Sequence, residues 1–99
     1  MTDVARFDEL IHPATRLSVV ALLAAADWAD FAFIRDELGL SDSALSKQLT
    51  TLEEAGYVVI ERPVSDRRRR VRARLTPLGR ERFLGHVAAL RSIIADAAL

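Results

Sequence analysis

The chain has 99 residues, 51% of them apolar, and no cysteine. One domain with a single unstapled core is therefore expected, and a disulfide framework or a thiolate metal site is excluded. The formal charge is zero, but residues 1–40 carry seven acids (Asp3, Asp8, Glu9, Asp27, Asp30, Asp36, Glu37) against three arginines, while residues 41–82 carry ten bases against six acids. A neutral sum thus hides a dipolar chain with a basic working end, and the local field matters more than net charge for steering a partner.

In residues 1–12, apolar Val4, Phe7, Leu10 and Ile11 fall at roughly helical spacing and form a candidate lead-in segment. Pro13 suits the first turn of a helix, where its missing N–H has no partner to lose. That helix is expected to run to about Ala26. Its run VVALLAAA is far shorter than the roughly 20 residues a bilayer span needs, so it reads as a buried helix, no targeting segment is expected, and a reducing cytoplasm is the natural setting. Leu17, Val19, Val20, Leu22 and Leu23 leave it little polar surface, which in so small a domain suggests a subunit interface.

Asp30 is placed to cap the next helix, in which Phe31, Ile34 and Leu38 fall at i, i+3 and i+7. Gly39 supplies its left-handed end. Ser41 caps a further helix over about 42–55, with Leu40 and Leu45 spaced as a hydrophobic staple. Two short helices joined by a glycine-containing turn make a helix-turn-helix. After Gly56 the pattern becomes strand-like: Tyr57 to Ile60 are β-favouring, Pro63 stops the strand, and Val71, Ala73 and Leu75 alternate with Arg70, Arg72 and Arg74. The expectation is a hairpin over about 57–75 with a basic tip and one solvent face. Thr76 caps a terminal helix over about 77–98 with Pro77 at its first position, and Phe83, Val87, Leu90, Ile94 and Ala97 follow close to coiled-coil spacing.

On the 42–55 helix, turning Leu45, Leu49 and Leu52 inward places Ser43, Lys47, Thr50 and Glu54 outward, flanked by Ala44, Gln48 and Thr51. Its N-terminal half is small, hydrogen-bonding and positive. That surface suits the DNA major groove: small residues permit close approach, and Lys47 and Gln48 reach base edges or phosphates. An ordinary solvated face would look similar. The arginine run separates the two readings. Arg67, Arg68, Arg69 and Arg70, with Arg62, Arg72 and Arg74, place seven guanidinium groups in 13 residues against Glu61 and Asp66, and such crowding gains from a polyanion. Arginine also suits a narrow, electronegative minor groove.

The order of elements, with SALSKQLTTLEEAGYV followed by SDRRRRVRARLTPLGRERF, resembles the winged helix-turn-helix transcriptional regulators of the MarR type, and is most similar to a short single-domain branch of them. FDELIHPATRLSVVALL and DFAFIRDELGLS carry the same resemblance, which covers nearly the whole chain. It implies a mainly α fold with a small β-hairpin (α+β), a single 1–99 domain with a C-terminal dimerisation helix, and a homodimer bound to double-stranded DNA. Ser43, Ala44, Lys47, Gln48 and Thr51 would face the major groove, and Arg67 to Arg70 would line the wing. Arg68 would enter the minor groove, oriented by Asp66. Full-length MarR proteins carry longer terminal helices that build both dimer and ligand pocket, so a small-molecule effector stays an open question.

Dimerisation is expected through the terminal helix and the 13–26 helix, at Leu17, Val20, Phe83, Val87, Leu90 and Ile94, presenting two recognition helices to half-sites about one helical turn apart. His12 and His86 have no ligand-spaced partners, so no metal is expected, and Trp28 and Tyr57 read as packing residues at element ends. No catalytic triad, phosphate loop or spaced carboxylate pair appears, so neither catalysis nor a cofactor is expected. Two other functions remain compatible: a non-specific architectural DNA-binding protein, and a winged helix used for protein interaction.

Overall fold

The structure, a computed structural model, describes residues 4–62, 64–65 and 68–97. Helix α1 spans Ala14–Ala24, strand β1 Ala29–Asp30, α2 Phe31–Leu38 and α3 Asp42–Glu54. Strand β2 is Val58–Glu61, β3 Val64–Ser65, β4 Arg68–Arg69 and β5 Arg72–Leu75, and α4 closes the fold over Pro77–Ala97. This is the expected mainly α winged helix-turn-helix, with its hairpin and a long last helix.

The turns follow from local chemistry. Gly39 has φ 64°, the left-handed position that ends α2, and Leu40 N–H returns to the Arg35 carbonyl. Ser41 Oγ accepts the Ala44 N–H at 3.1 Å, satisfying one free donor of the first turn of α3. Thr76 Oγ1 accepts from Gly79 N–H at 3.0 Å and donates to the Gly56 carbonyl at 2.7 Å, so one hydroxyl both caps α4 and ties it to the end of α3. Pro13 occupies the N-cap position of α1 rather than its first turn.

Two elements differ from expectation. Asp30 precedes α2, but its side chain makes no capping bond. Ala29 and Asp30 instead pair with Ala73 and Arg72 as a short third strand, and Phe31 N–H goes to the Val71 carbonyl at 2.8 Å. The sheet order is therefore β1-β5-β2, antiparallel throughout, with Val58 opposite Leu75 and Glu61 opposite Arg72. The hairpin continues outward as the β3-β4 pair, Val64 opposite Arg69 and Ser65 opposite Arg68. Pro63, expected to end the first strand, lies outside the described residues.

The second difference is the lead-in. Residues 4–8 have no regular structure and run along α4: Arg6 N–H bonds the Gly85 carbonyl at 2.9 Å and Asp8 N–H bonds His86 Nδ1 at 3.0 Å. Asp8 Oδ1 accepts the Leu10 and Ile11 N–H groups at 2.9 and 3.3 Å, a side-chain turn that competes with helix. Gly85 permits this approach, since a Cβ there would stand 3.2 Å from the Val4 carbonyl oxygen.

The core is continuous across these elements. Ile11, Val19, Val20, Leu23, Ile34, Leu45, Leu49, Leu52, Val58, Ala73 and Leu75 are buried together, with Leu17, Leu22 and Phe83 packed at its edge. Val20 has no exposed surface in the single chain, so it has no area left to give to a second subunit. This removes it from the expected dimer face: α1 is apolar on several sides because it sits at the centre of its own domain.

Candidate nucleic-acid interface

Because Leu45, Leu49 and Leu52 point inward, α3 presents its remaining positions outward. Ser43, Lys47 and Thr50 are exposed, and Ala44, Gln48 and Thr51 are half-buried along the flanks. The structure therefore groups Ser43, Ala44, Lys47, Gln48 and Thr51 on one side of one helix. Three of their side chains are already bonded within the chain, Ser43 Oγ standing 3.3 Å from Ser41 Oγ. Thr51 Oγ1 donates back to the Lys47 carbonyl at 3.1 Å, and Gln48 Oε1 accepts from Arg16 Nε at 2.9 Å.

Asp42, in the first turn of α3, would repel an approaching phosphate, but it is paired. Arg35 of α2 donates to Asp42 Oδ1 at 2.8 Å and to Asp36 Oδ1 at 2.9 Å. This fork joins the two helices across their turn. The same arginine holds the Asp36 carboxyl below the ordinary carboxylate range, and the hydrogen bonds to Asp36 and Asp42 raise Arg35 in turn. The N-terminal end of α3 thus keeps its positive backbone end facing solvent with its one nearby acid offset.

The wing separates its arginines into two groups. Arg62 and Arg70 are exposed. Arg72 is not free: its Nε and Nη2 both reach Glu61 Oε1, at 2.9 and 2.6 Å, and its guanidinium lies 4.2 Å from the centre of the Trp28 ring. Arg74 reaches the same ring at 5.1 Å. Both are half-buried, so the expected solvent face of β5 is instead covered by an indole, a cation–π arrangement that stiffens the base of the hairpin. Trp28, a packing residue by its place at an element end, has cations as its partners. Arg68 and Arg69 form β4 at the outer part of the wing, while Asp66 and Arg67 lie outside the described residues. Between α3 and the wing lies a cleft of about 300 Å³ bordered by Phe31, Ser46, Thr50, Ile60 and Arg62.

The histidines come together, which the sequence did not foretell. His86 is fully buried, and its Nε2 is 3.4 Å from His12 Nδ1, with the Phe7 ring against both. Among the described residues no group of three or more His, Cys, Asp or Glu side chains is placed to hold a metal ion. A glycine next to a histidine in mid-helix was the only available signal, since glycine there marks close backbone approach. Along α4, Leu90 and Val87 are half-buried and Ile94 is exposed; the neighbouring Ile93, not singled out from the sequence, is exposed as well.

A helix-turn-helix whose second helix turns a small, polar, basic face outward beside an arginine-bearing hairpin defines a winged helix-turn-helix DNA-binding domain. A family model for the winged helix DNA-binding domain matches residues 15–94, and the chain belongs to that family. The sequence is 27% identical over 79 residues to the uncharacterized protein MJ0432 of Methanocaldococcus jannaschii, covering 80% of this chain and 86% of the relative. The fold matches a transcriptional regulator homologue from Pyrococcus horikoshii OT3 with a TM-score of 0.88 at 24% identity, over 93% of this chain and 91% of the other. It also matches NadR, solved in complex with 4-hydroxyphenylacetate, with a TM-score of 0.73 at 25% identity, over 90% of this chain but 62% of NadR. These matches agree with the MarR-type resemblance carried by the sequence, and the fold is that of winged helix DNA-binding transcriptional regulators.

Proposed function

We propose that the protein is a sequence-specific transcriptional regulator that binds double-stranded DNA as a homodimer in the cytoplasm. The observation that carries this reading is the outward face of α3, where Ser43, Ala44, Lys47, Gln48 and Thr51 lie on one helix beside a wing bearing Arg62, Arg68, Arg69 and Arg70. The helix enters the major groove and reads base edges. In the complex the wing arginines Arg67 to Arg70 would contact the adjacent backbone, and Arg68 would enter the minor groove.

The second copy docks along the outer half of α4. Every residue from Arg91 to Ala97 is exposed, and Ile93 and Ile94 are 53% and 66% exposed on a helix that projects past its own core. Val87, Leu90 and part of Leu17 and Phe83 extend that apolar surface inward. Two copies joined this way carry two α3 helices, which calls for a two-fold-related pair of half-sites.

The test is to incubate the purified protein with a pool of randomised duplexes at moderate salt and sequence what is retained. Enrichment of an inverted pair of half-sites with centres about one helical turn apart is expected. Retention without any enriched sequence would leave a non-specific architectural DNA-binding protein in its place, and no retention at all would favour a protein-interaction module.

A further inference from the structure

Arg16 on α1 and Gln48 on α3 meet at the edge of the proposed reading face. Arg16 Nε donates to Gln48 Oε1 at 2.9 Å, and Nη1 of the same guanidinium donates to the Leu10 carbonyl at 2.7 Å. Both side chains are half-buried. The Leu10 end is itself held from the core: Leu10 N–H bonds Asp8 Oδ1 at 2.9 Å, and Asp8 Oδ2 accepts the Tyr57 hydroxyl at 2.6 Å. Arg16 is thus a strut fixed at one end to the interior and ending at the other on a side chain of α3.

A guanidinium has donors and no acceptor, so the amide atom facing it is the oxygen and the NH₂ group is turned away. A glutamine without such a partner rotates its amide freely and presents donor or acceptor as the base demands. The two-bond contact of glutamine to adenine uses the amide oxygen to accept from N6 and the NH₂ to donate to N7. Here one of that oxygen's two lone pairs is taken by Arg16, and a base N6 would have to share the atom.

We propose that Arg16 is a positioning residue for base recognition: it holds Gln48 with its NH₂ group leading, so that Gln48 selects the base edge presenting two acceptors, guanine N7 and O6. Adenine keeps the N7 bond but its N6 must share the oxygen held by Arg16, thymine offers O4 alone, and cytosine, which presents the N4 donor, is disfavoured. The inference rests on the reading of α3 as the major-groove helix. It adds that a residue on a different helix, outside the face itself, sets the specificity of one position.

The experiment sequences the duplexes retained from a randomised pool by the full-length wild type, Arg16→Met and Gln48→Glu, after far-UV circular dichroism and urea titration have established that each variant is folded. Methionine keeps an unbranched apolar stem and removes every donor. In the wild type one half-site position should prefer guanine by on the order of tenfold, the scale of one good base contact. Arg16→Met should flatten that position to within about twofold of parity while leaving the other positions patterned. Gln48→Glu keeps the Arg16 partner as an ion pair and presents an oxygen in place of the NH₂, so the same position should turn toward cytosine. A patterned wild-type profile that Arg16→Met leaves unchanged at every position overturns the positioning role alone. Arg16→Met weakening all sequences equally, with a lower salt slope, makes Arg16 a phosphate contact and also overturns it. A wild-type profile flat at every position overturns the regulator reading and this inference with it.

Discussion

The hydroxyl of Tyr57, at the start of the wing, donates a 2.6 Å hydrogen bond to Asp8 Oδ2, 49 residues earlier in the chain. Asp8 is 7% exposed, and its other oxygen takes two backbone N–H groups, so the carboxylate is satisfied only while Tyr57 keeps its hydroxyl. Burial, then the hydrogen bond to Asp8, push the Tyr57 phenol up, so it stays protonated as the donor at neutral pH. Tyr57→Phe leaves the ring packing intact and strands one carboxylate oxygen, which should cost about 1–3 kcal/mol. Urea unfolding at neutral pH measures it, and an unchanged midpoint would show that the bond contributes nothing net.

His86 makes stability depend on pH. Its Nδ1 accepts the Asp8 N–H, so the proton of the neutral ring lies on Nε2, toward His12. Burial first, then the charge of His12, hold His86 below the ordinary 6.5, with Asp8 opposing weakly. Protonation would place a second N–H against that of Asp8. The unfolded chain therefore binds more protons than the folded one below about pH 6.5, and stability should fall as the pH is lowered through that value toward the folded pKa, by up to about 1.4 kcal/mol for each unit the pKa is depressed. Comparing urea midpoints at pH 7.5 and 5.5 checks this. His86→Asn keeps an acceptor without the titration, and its midpoint should depend less on pH across that window.

What the sequence disclosed and what it withheld divide along the range of the interactions. Ser41, Gly39, Thr76 and the Leu45–Leu49–Leu52 stripe act on residues within a turn or two, and they placed α3, its turn and the start of α4 where the structure has them. The outward set on α3 followed from that stripe. The strut from Arg16 to Gln48, the Arg72 guanidinium on Trp28 and the His12–His86 pair join residues 32, 44 and 74 positions apart, and no local period marks them. The two-residue β1 was missed for a related reason: Ala29 and Asp30 are a strand only because β5 offers them an edge. Val20 is internal, and hydrophobicity alone does not say which surface, internal or shared, a side chain fills.

Gly79 should be intolerant of substitution where Gly39 is not. A Cβ at Gly79 would lie 2.1 Å from the Tyr57 carbonyl oxygen and 2.9 Å from its carbon, both backbone atoms of the chain leading into β2. The helix or the wing would have to move, so Gly79→Ala should cost about 3 kcal/mol or more. Gly39 has φ 64° but open space around it, and Gly39→Ala should cost only the left-handed backbone penalty of about 1–2 kcal/mol. Urea titration of the two variants side by side tests the ranking, and equal losses would mean that α4 can shift freely off the wing.

Arg70 is exposed at the wing and bonded to no acid among the described residues, so its removal tests the electrostatic part of the proposed interface without touching the fold. Arg70→Ala should weaken DNA binding and lower the slope of log affinity against log salt by about 0.9, the counterion release of one phosphate contact. Arg68→Ala should do the same and additionally reduce any preference for narrow-groove, A·T-rich flanks. An unchanged slope in either variant would remove that arginine from the contact.

Ile94→Asp separates a shared surface from a private one. At 66% exposure Ile94 contributes little to the single chain's core, so a carboxylate there has solvent to face and should leave the monomer folded. In a dimer built along α4 the same side chain meets its symmetry mate, and burying an isoleucine contributes roughly 1.5–3 kcal/mol per copy. Replacing two buried isoleucines by two carboxylates close to one another removes that gain and adds like-charge repulsion. The variant should run as a monomer of about half the mass by light scattering at concentrations where the wild type is a dimer, with its far-UV spectrum unchanged. Its DNA affinity should fall sharply, since each half-site then binds alone without the effective concentration that linkage supplies. A variant that stays dimeric would move the interface off the outer half of α4.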